Sequence, residues 1–490
     1  MTLLRTAGSC RRLAPIKLGP TIWACALAGA ALLAACASAP AAPTVPAGNT
    51  AQPGASSAVV ATPAAPSAPV VPSPRPAQSA APAAVCQADS GTPAASETDA
   101  QIAQYTAALK AAPGDHDSLL LLGLAYYQRA RETADPTDYA RADEAFQELL
   151  DQAPDDVEAL IGRGTITLAR HQFRDALAIG QRALALDTRV SRIYGVIGDA
   201  QNELGMYDEA VRSVETMVNT RPDLSSYSRV SYVRELHGDL DGAIEAMETA
   251  VRAGGPATEN TAYLRVVLGN LWFLEGDLEK AHGAYAGALE GSPGYVFALA
   301  GEARVSAARG DLDHAIACYR AASDRVPFPE FLIALGEAQE AAGQVAAAEA
   351  TYALVRQIEA LFSANGVNTD LDLALFEADH GDAAAALALA QAAYAETPNI
   401  KAADALGWAL YQNGRMHEAL THAREALRLG TRDPSYAYHG GVIAAAAGQE
   451  AQARTWLQQS VAANPHWSPL HAPRAVAALA GLGQSPVAMP

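Results

Sequence analysis

From Asp99 onward, small and apolar positions recur with a period close to 34 residues. The period is fixed by an alanine early in each unit's second helix. These alanines are Ala142, Ala176, Ala210, Ala243, Ala281, Ala315, Ala348, Ala386, Ala419 and Ala453, at intervals of 34, 34, 33, 38, 34, 33, 38, 33 and 34. Glycine stands five residues before eight of them, at Gly205, Gly238, Gly276, Gly310, Gly343, Gly381, Gly414 and Gly448. It also stands twelve before several, at Gly198, Gly269, Gly336, Gly407 and Gly441. Proline follows by twelve at Pro154, Pro222, Pro293, Pro327, Pro398 and Pro465, and an aromatic ring by four at Phe146, Tyr285, Tyr319 and Tyr352. Each position has a physical task. The earlier glycine lets two helices approach, and the later one can take the left-handed conformation that ends the first helix. The alanine suits a helix crossing, and the proline stops the second helix. The pattern predicts an all-α chain of helical pairs, each burying its apolar face only by stacking on its neighbours.

This pattern resembles the tetratricopeptide repeat, whose 34-residue helix–turn–helix unit builds an α-solenoid. The resemblance covers about ten units over residues 117–465. A half-unit at 99–116, with Tyr105 and Leu109, is expected to cap the start, and residues 466–490 to supply a closing helix and tail. The units are uneven. The first has about seven extra residues around Asp135-Pro136, and the second has His171 where glycine is expected. The two 38-residue intervals place insertions near Gly254-Gly255-Pro256 and near Ala364 to Asp370. The stretch Asn365 to Asp370 reads as a turn followed by an Asp-capped helix, with a polar contact loop as the alternative.

In this family the first helix of each unit lines the concave surface, and such solenoids bind partner proteins or peptides there without catalysis. Projection from the alanines places Tyr232, Tyr263, Asn270, Phe273, Phe297, Arg304, Asn368, Trp408, Tyr411 and Tyr438 toward that groove, with Glu330, Glu337 and Glu340 as a negative patch. Aromatics with an arginine and amides suit a peptide. Some family members clamp a peptide's C-terminal carboxylate with lysines and asparagines. Asn270 matches one clamp position, but Val266 stands where the first lysine belongs, so that mode is not expected.

The other end of the chain differs in kind. Arg5, Arg11, Arg12 and Lys17 precede an uncharged run from Thr21 to Ala35, which is short for a membrane span. The run ends in Leu33-Ala34-Ala35-Cys36, which resembles the lipobox of bacterial lipoprotein signal peptides. That resemblance implies removal of residues 1–35 and lipid attachment at Cys36. Ala37, in place of an aspartate, would permit transfer to an outer membrane facing the periplasm where the organism has one. Residues 36–98 read as a tether rich in proline, alanine and serine that cannot bury a core. Loss of the four cations would take the formal charge from -19 to -23.

Composition narrows the function further. Half the chain is hydrophobic but only 6% aromatic, an alanine-rich balance that favours close-packed helices. The negative charge excludes a nucleic-acid binder and favours partners with basic segments. Five cysteines are too few for a disulfide-rich scaffold. Cys86 reads as a solvated thiol in the tether, with intermolecular pairing as the alternative, and Cys318 as a half-buried inert thiol. His417 and His422 lie five apart, on different faces of a helix, and do not make a zinc-protease pair. The triplets beginning at Asp239, Asp277 and Asp311 read as N-caps. No phosphate loop or nucleophile elbow is found in the sequence, and neither an enzyme, a cofactor nor a small-molecule substrate is expected. The expectation is a lipid-anchored, extracytoplasmic scaffold. The alternative is a metal-handling envelope protein that uses the histidines of the C-terminal half, His380, His439, His466 and His471 among them.

Overall fold

A computed structural model describes Cys86, residues 97–255 and residues 259–482. Cys36, the signal-like segment 1–35, and the tether apart from Cys86, Glu97 and Thr98 lie outside the described residues. Among the described residues there are 22 helices and no strand. Helix α1 (Glu97–Ala111) precedes ten hairpins, and α22 (His471–Gly481) follows them. The hairpins are α2/α3 (His116–Thr133, Thr137–Gln152), α4/α5 (Val157–Ala169, Phe173–Leu186), α6/α7 (Ser191–Glu203, Tyr207–Thr220), α8/α9 (Leu224–Leu236, Leu240–Ala253) and α10/α11 (Glu259–Leu274, Leu278–Gly291). They continue as α12/α13 (Val296–Ala308, Leu312–Arg325), α14/α15 (Pro329–Ala341, Val345–Ala364), α16/α17 (Asp370–His380, Ala383–Glu396), α18/α19 (Ile400–Gln412, Met416–Ala426) and α20/α21 (Pro434–Ala446, Glu450–Ala463).

The periodic residues meet their tasks. All ten alanines are at most 2% exposed. The ring of Tyr285 fills the space where a Cβ on Gly269 or Gly301 would sit, at 2.4 and 2.5 Å, so any side chain there would push the hairpin apart. Asp239, Asp277 and Asp311 cap their helices by accepting from the backbone N–H of Gly242, Lys280 and His314. Seven of the eight turn glycines have φ between 71° and 82°. Gly381 departs, at φ -143°, where the Glu377 side chain folds over the turn to accept from the Asp382 N–H at 2.9 Å. His171, at φ 58°, takes the left-handed position that glycine holds elsewhere.

The even-numbered helices of most successive hairpins touch one another, among them α2, α4, α6 and α8, α10 and α12, and α16, α18, α20 and α22, and form the inner wall of a stack that winds on itself. The winding is tight enough for successive superhelical turns to meet. His171 Nδ1 lies 2.7 Å from the Asn368 carbonyl, Asn399 Nδ2 donates to the Glu203 carbonyl at 2.8 Å, and Asn464 Nδ2 donates to the Phe273 carbonyl at 2.7 Å. These partners lie 191–197 residues apart, which is between five and six units per turn. The insertion after α15 belongs to this seam. The Asn368 N–H donates to the Arg170 carbonyl, Arg170 donates to the Asn365 carbonyl, and Gln172 donates to the Gly366 carbonyl. The segment is therefore a contact loop, directed at the chain itself. The expected Asp cap is also corrected: α16 starts at Asp370, and Asn368 Oδ1 accepts the Asp370 N–H at 3.1 Å.

Cys86 is bonded to Cys318, with a Cα–Cα distance of 4.9 Å and 232 residues between them. This overturns both cysteine readings. Cys86 is 8% exposed and packed with Phe331 and Tyr319 in one apolar cluster, and Cys318 is fully buried. The short sequence around Cys86 has no periodic apolar face, so its docking on α13 could not be read from pattern.

Candidate functional site

The inner wall carries a ladder of polar pairs, each joining first helices of adjacent hairpins. Arg229 holds Asp199 through three contacts of 2.7–2.9 Å, with both side chains buried. Tyr232 donates to Glu203 at 2.5 Å and Arg304 to Asn270 at 3.0 Å. Trp408 donates to Asp379 at 2.9 Å, and His439 pairs with Asp404 at 2.8 Å. Burial lifts Asp199 to about 6 despite the Arg229 guanidinium. Burial works against a charge on His439, but the Asp404 carboxylate outweighs it and raises its pKa.

The projected groove residues lie on or beside this wall but are largely used by one another. Tyr232, Tyr263, Asn270, Phe273, Trp408 and Tyr438 are buried, and Phe297, Arg304, Asn368 and Tyr411 are half-buried. The Arg304 guanidinium sits 5.6 Å from the centre of the Phe273 ring. Trp408 stacks against Tyr411 at 5.0 Å and against His439 at 4.3 Å. Asn368 belongs to the seam loop. The inner surface is thus less open than a shallow peptide groove, because the superhelix is tightly wound.

Two recesses remain where the turns meet, and both include His171, Asp372 and Leu375. One, of about 260 Å³, is bounded by Tyr139, Ala169 and His171 of one turn and by α14, α15 and α16 of the next. Its carboxylates are Glu330, Glu337, Glu359, Asp372 and Asp379, set among Phe328, Ile333, Phe362, Val367 and Phe376. The other, of about 190 Å³, contains Glu203, Lys401, Asp404, Asn399 and Tyr436. Lys401 is paired with Glu203 at 3.2 Å. Glu330, Glu337, Glu359, Asp372 and Asp379 were not recognised from sequence as one group, because they come together only through the folding of α14–α16 and the closing of the seam.

Burial, and then repulsion from Asp372, push Glu330 up to about 7 and Glu359 up to about 8. Burial also raises Asp372, against the pull of His171 and Lys401. The groups facing these carboxylates are Glu337 on α14, Asp379 and His380 on α16, Tyr139 on α3 and His171 after α4, with Arg304 and Lys401 as the cations. A carboxyl whose folded pKa is raised contributes stability that is full below its ordinary range and lost as pH rises through the folded value. The melting temperature in low salt should therefore fall between about pH 4.5 and 8 and level off above, and a profile flat over that range would show that Glu330 and Glu359 ionise freely.

Two groups of metal-ligating side chains lie close together. Asp379, His439 and His471 bring one candidate atom each within 4.8 Å of one another, as do Cys86, His314 and Cys318. The sulfurs of the second group are bonded to each other. In the first, Asp379 accepts from Trp408 and His439 pairs with Asp404. Nothing in the comparisons with known proteins favours the metal-handling alternative.

Among curated proteins, no relative matches the chain. The solved structures with a similar fold include the Cut9–Hcn1 hetero-tetramer of APC/C, at 13% identity over 79% of this chain and 97% of that one, with a TM-score of 0.30. They also include YrrB, described as a tetratricopeptide-repeat protein with an unusual peptide-binding site, at 22% identity over 39% of this chain and 96% of that one, with a TM-score of 0.27. A third is human IFIT1 with m7Gppp-AAAA, at 16% identity over 67% of this chain and 76% of that one, with a TM-score of 0.44. The family model described as tetratricopeptide repeat matches residues 127–189, 237–296, 301–360 and 405–466, together half of the sequence. With the buried alanines, the left-handed turn glycines and the stacked hairpins, these matches show that the chain belongs to the tetratricopeptide-repeat family.

Proposed function

We propose that the chain is a non-catalytic scaffold of the cell envelope, tethered by a lipid on Cys36, that engages basic segments of partner proteins along its inner wall. Tetratricopeptide repeats serve as protein-interaction scaffolds, and that coarser reading follows from the family. The observation that carries the finer one is the inner surface. Carboxylates from successive hairpins converge there (Glu330, Asp372 and Asp433, beside Glu203 and Asp404, which Lys401 and His439 already hold), and Arg229 is held by Asp199. Such a field steers cationic segments toward the channel. The disulfide between Cys86 and Cys318 supports an extracytoplasmic location, because such bonds persist in oxidising compartments.

Crosslinking in intact cells followed by affinity capture tests the reading. A partner joined through lysines of its own to the acidic residues of the even-numbered helices is the expected result. Cys36→Ala should move the chain out of the membrane fraction and reduce capture. Crosslinks confined to the outer, odd-numbered helices would sink the inner-wall assignment, and an alanine variant that stays lipidated and membrane-bound would sink the anchor.

A further inference from the structure

The larger recess is a feature of the winding and not of any single hairpin. Tyr139, Ala169 and His171 roof it from one superhelical turn, and α14–α16 of the next turn supply its walls. Its lining is mixed in a specific way. Phe328, Phe362 and Phe376 make an apolar wall, with Phe328 and Phe362 meeting edge to face at 6.2 Å. Against it stand Glu330, Glu359 and Asp372, which repel one another. Glu359 is only 3% exposed, and its Oε2 has no hydrogen-bond partner among the described residues. His171 Nε2, on the roof, is buried and without a partner in the same way. Thr369 serves the Glu359 carboxyl as a donor, but a buried oxygen with nothing of its own to accept from is costly to keep. Among the described residues no arginine or lysine lines this recess, although Arg304 and Lys401 stand near enough to influence its carboxylates.

We propose that this recess is a binding site for an organic ammonium, a protonated primary amine carried on an apolar stem. The ammonium has three donors and no acceptor, which suits a group of carboxylates in which Glu359 keeps one buried oxygen unpaired. The phenyl faces accept the stem and favour a nearby cation. A bare divalent ion would satisfy the oxygens but leave the aromatic wall unused. The same chemistry is offered by a free alkylamine or by a lysine side chain of a partner segment. The recess does not depend on the scaffold reading: it would bind a free amine even if no protein were captured.

The test uses the full-length protein and three probes: 1,5-diaminopentane, pentylamine, and a short end-capped peptide with one lysine. Calorimetric titration at pH 7 should show one site per chain, with protons released on binding. Their number is read from the heat in buffers of different ionisation enthalpy. Release follows because an ammonium beside Glu330 and Glu359, poised at about 7 and about 8, draws both toward their charged forms. Glu359→Gln keeps the shape, removes one charge and should weaken binding at least tenfold while reducing the proton release. Its melting temperature at pH 8 should equal or exceed that of the parent, which shows that lost binding is not lost folding. Stronger binding of the peptide than of the free amines assigns the site to a partner's lysine, and the reverse assigns it to a free amine. Absence of binding by all three probes at millimolar concentration would overturn the proposal. So would equal affinity for parent and variant, or protection by calcium or magnesium alone.

Discussion

Replacing Cys86 with serine should lower the melting temperature by about 4–6 °C and detach the sequence before α1 from the solenoid. The bond closes a loop of 232 residues. A cross-link over such a length stabilises the folded chain by about 3–5 kcal/mol, chiefly by restricting the unfolded ensemble. Spread over a stack of this size, a change of that magnitude shifts the midpoint by only a few degrees. Serine is placed at Cys86 and not at Cys318 because Cys318 is fully buried and a hydroxyl there would add a desolvation cost of its own. Two measurements check the effect. Differential scanning calorimetry with and without reductant should bring the parent down to the variant, while the variant stays put. Limited proteolysis between Cys86 and α1 should release the upstream fragment from the variant on a non-reducing gel and leave it attached in the parent. Identical melting curves for the oxidised parent and the variant would show that Cys86 does not hold the solenoid.

The bond also changes the reach of the tether. As a free coil the 62 residues from 37 to 98 would span roughly 40 Å, and as an extended polyproline helix up to about 190 Å. With Cys86 bonded to α13 beside Phe331 and Tyr319, the proposed lipid on Cys36 would be separated from the first fixed point of the solenoid by residues 37–85 alone. The proposed anchor and the solenoid are then coupled at a defined place.

What the sequence made legible was local. Ala281, Gly269, Gly276 and Tyr285 all act within one hairpin and its neighbour, at separations that the 34-residue period reports directly. The N-caps at Asp239, Asp277 and Asp311 are likewise decided by three or four residues. The superhelical pitch is not local. It accumulates from small rotations per unit, and nothing in the period says whether residue 205 will touch residue 398. Hence Tyr232, Asn270 and Trp408 could be placed on the first helices of their hairpins, while the partners they meet, Glu203, Tyr285 and Asp379, could not be named from the period. Hence also Glu359, on the outer helix α15, was missed. That helix is 20 residues long, and its extra turns reach the seam. One signal was available: the 38-residue interval after Ala348 marked where the chain leaves its period, and the seam loop and the recess are both built there.

The pitch itself can be tested with glycines. Gly238→Ala should cost about 3 kcal/mol, whereas Gly310→Ala should cost about 1 kcal/mol. Both residues hold left-handed conformations, at φ 75° and 82°, so both substitutions incur the same backbone strain. They differ in what a methyl group would meet. At Gly238 the new Cβ would lie 2.1 Å from the Gly430 carbonyl oxygen, one superhelical turn away, and at Gly310 nothing lies within 4 Å. Gly205 and Gly276 fall between them, at 2.5 Å from the Pro398 carbonyl and 3.1 Å from the Ala463 carbonyl, while Gly343, Gly414 and Gly448 are open like Gly310. Urea unfolding of the series should rank the losses Gly238, Gly205, Gly276 and then Gly310. Small-angle scattering should show the Gly238 variant longer than the parent, since a backbone oxygen cannot swing aside as a side-chain tip can and the turns must part instead. Equal losses across the four positions would mean that the turns do not touch in solution. The recess at Glu359, which exists only because they touch, would then lose its roof.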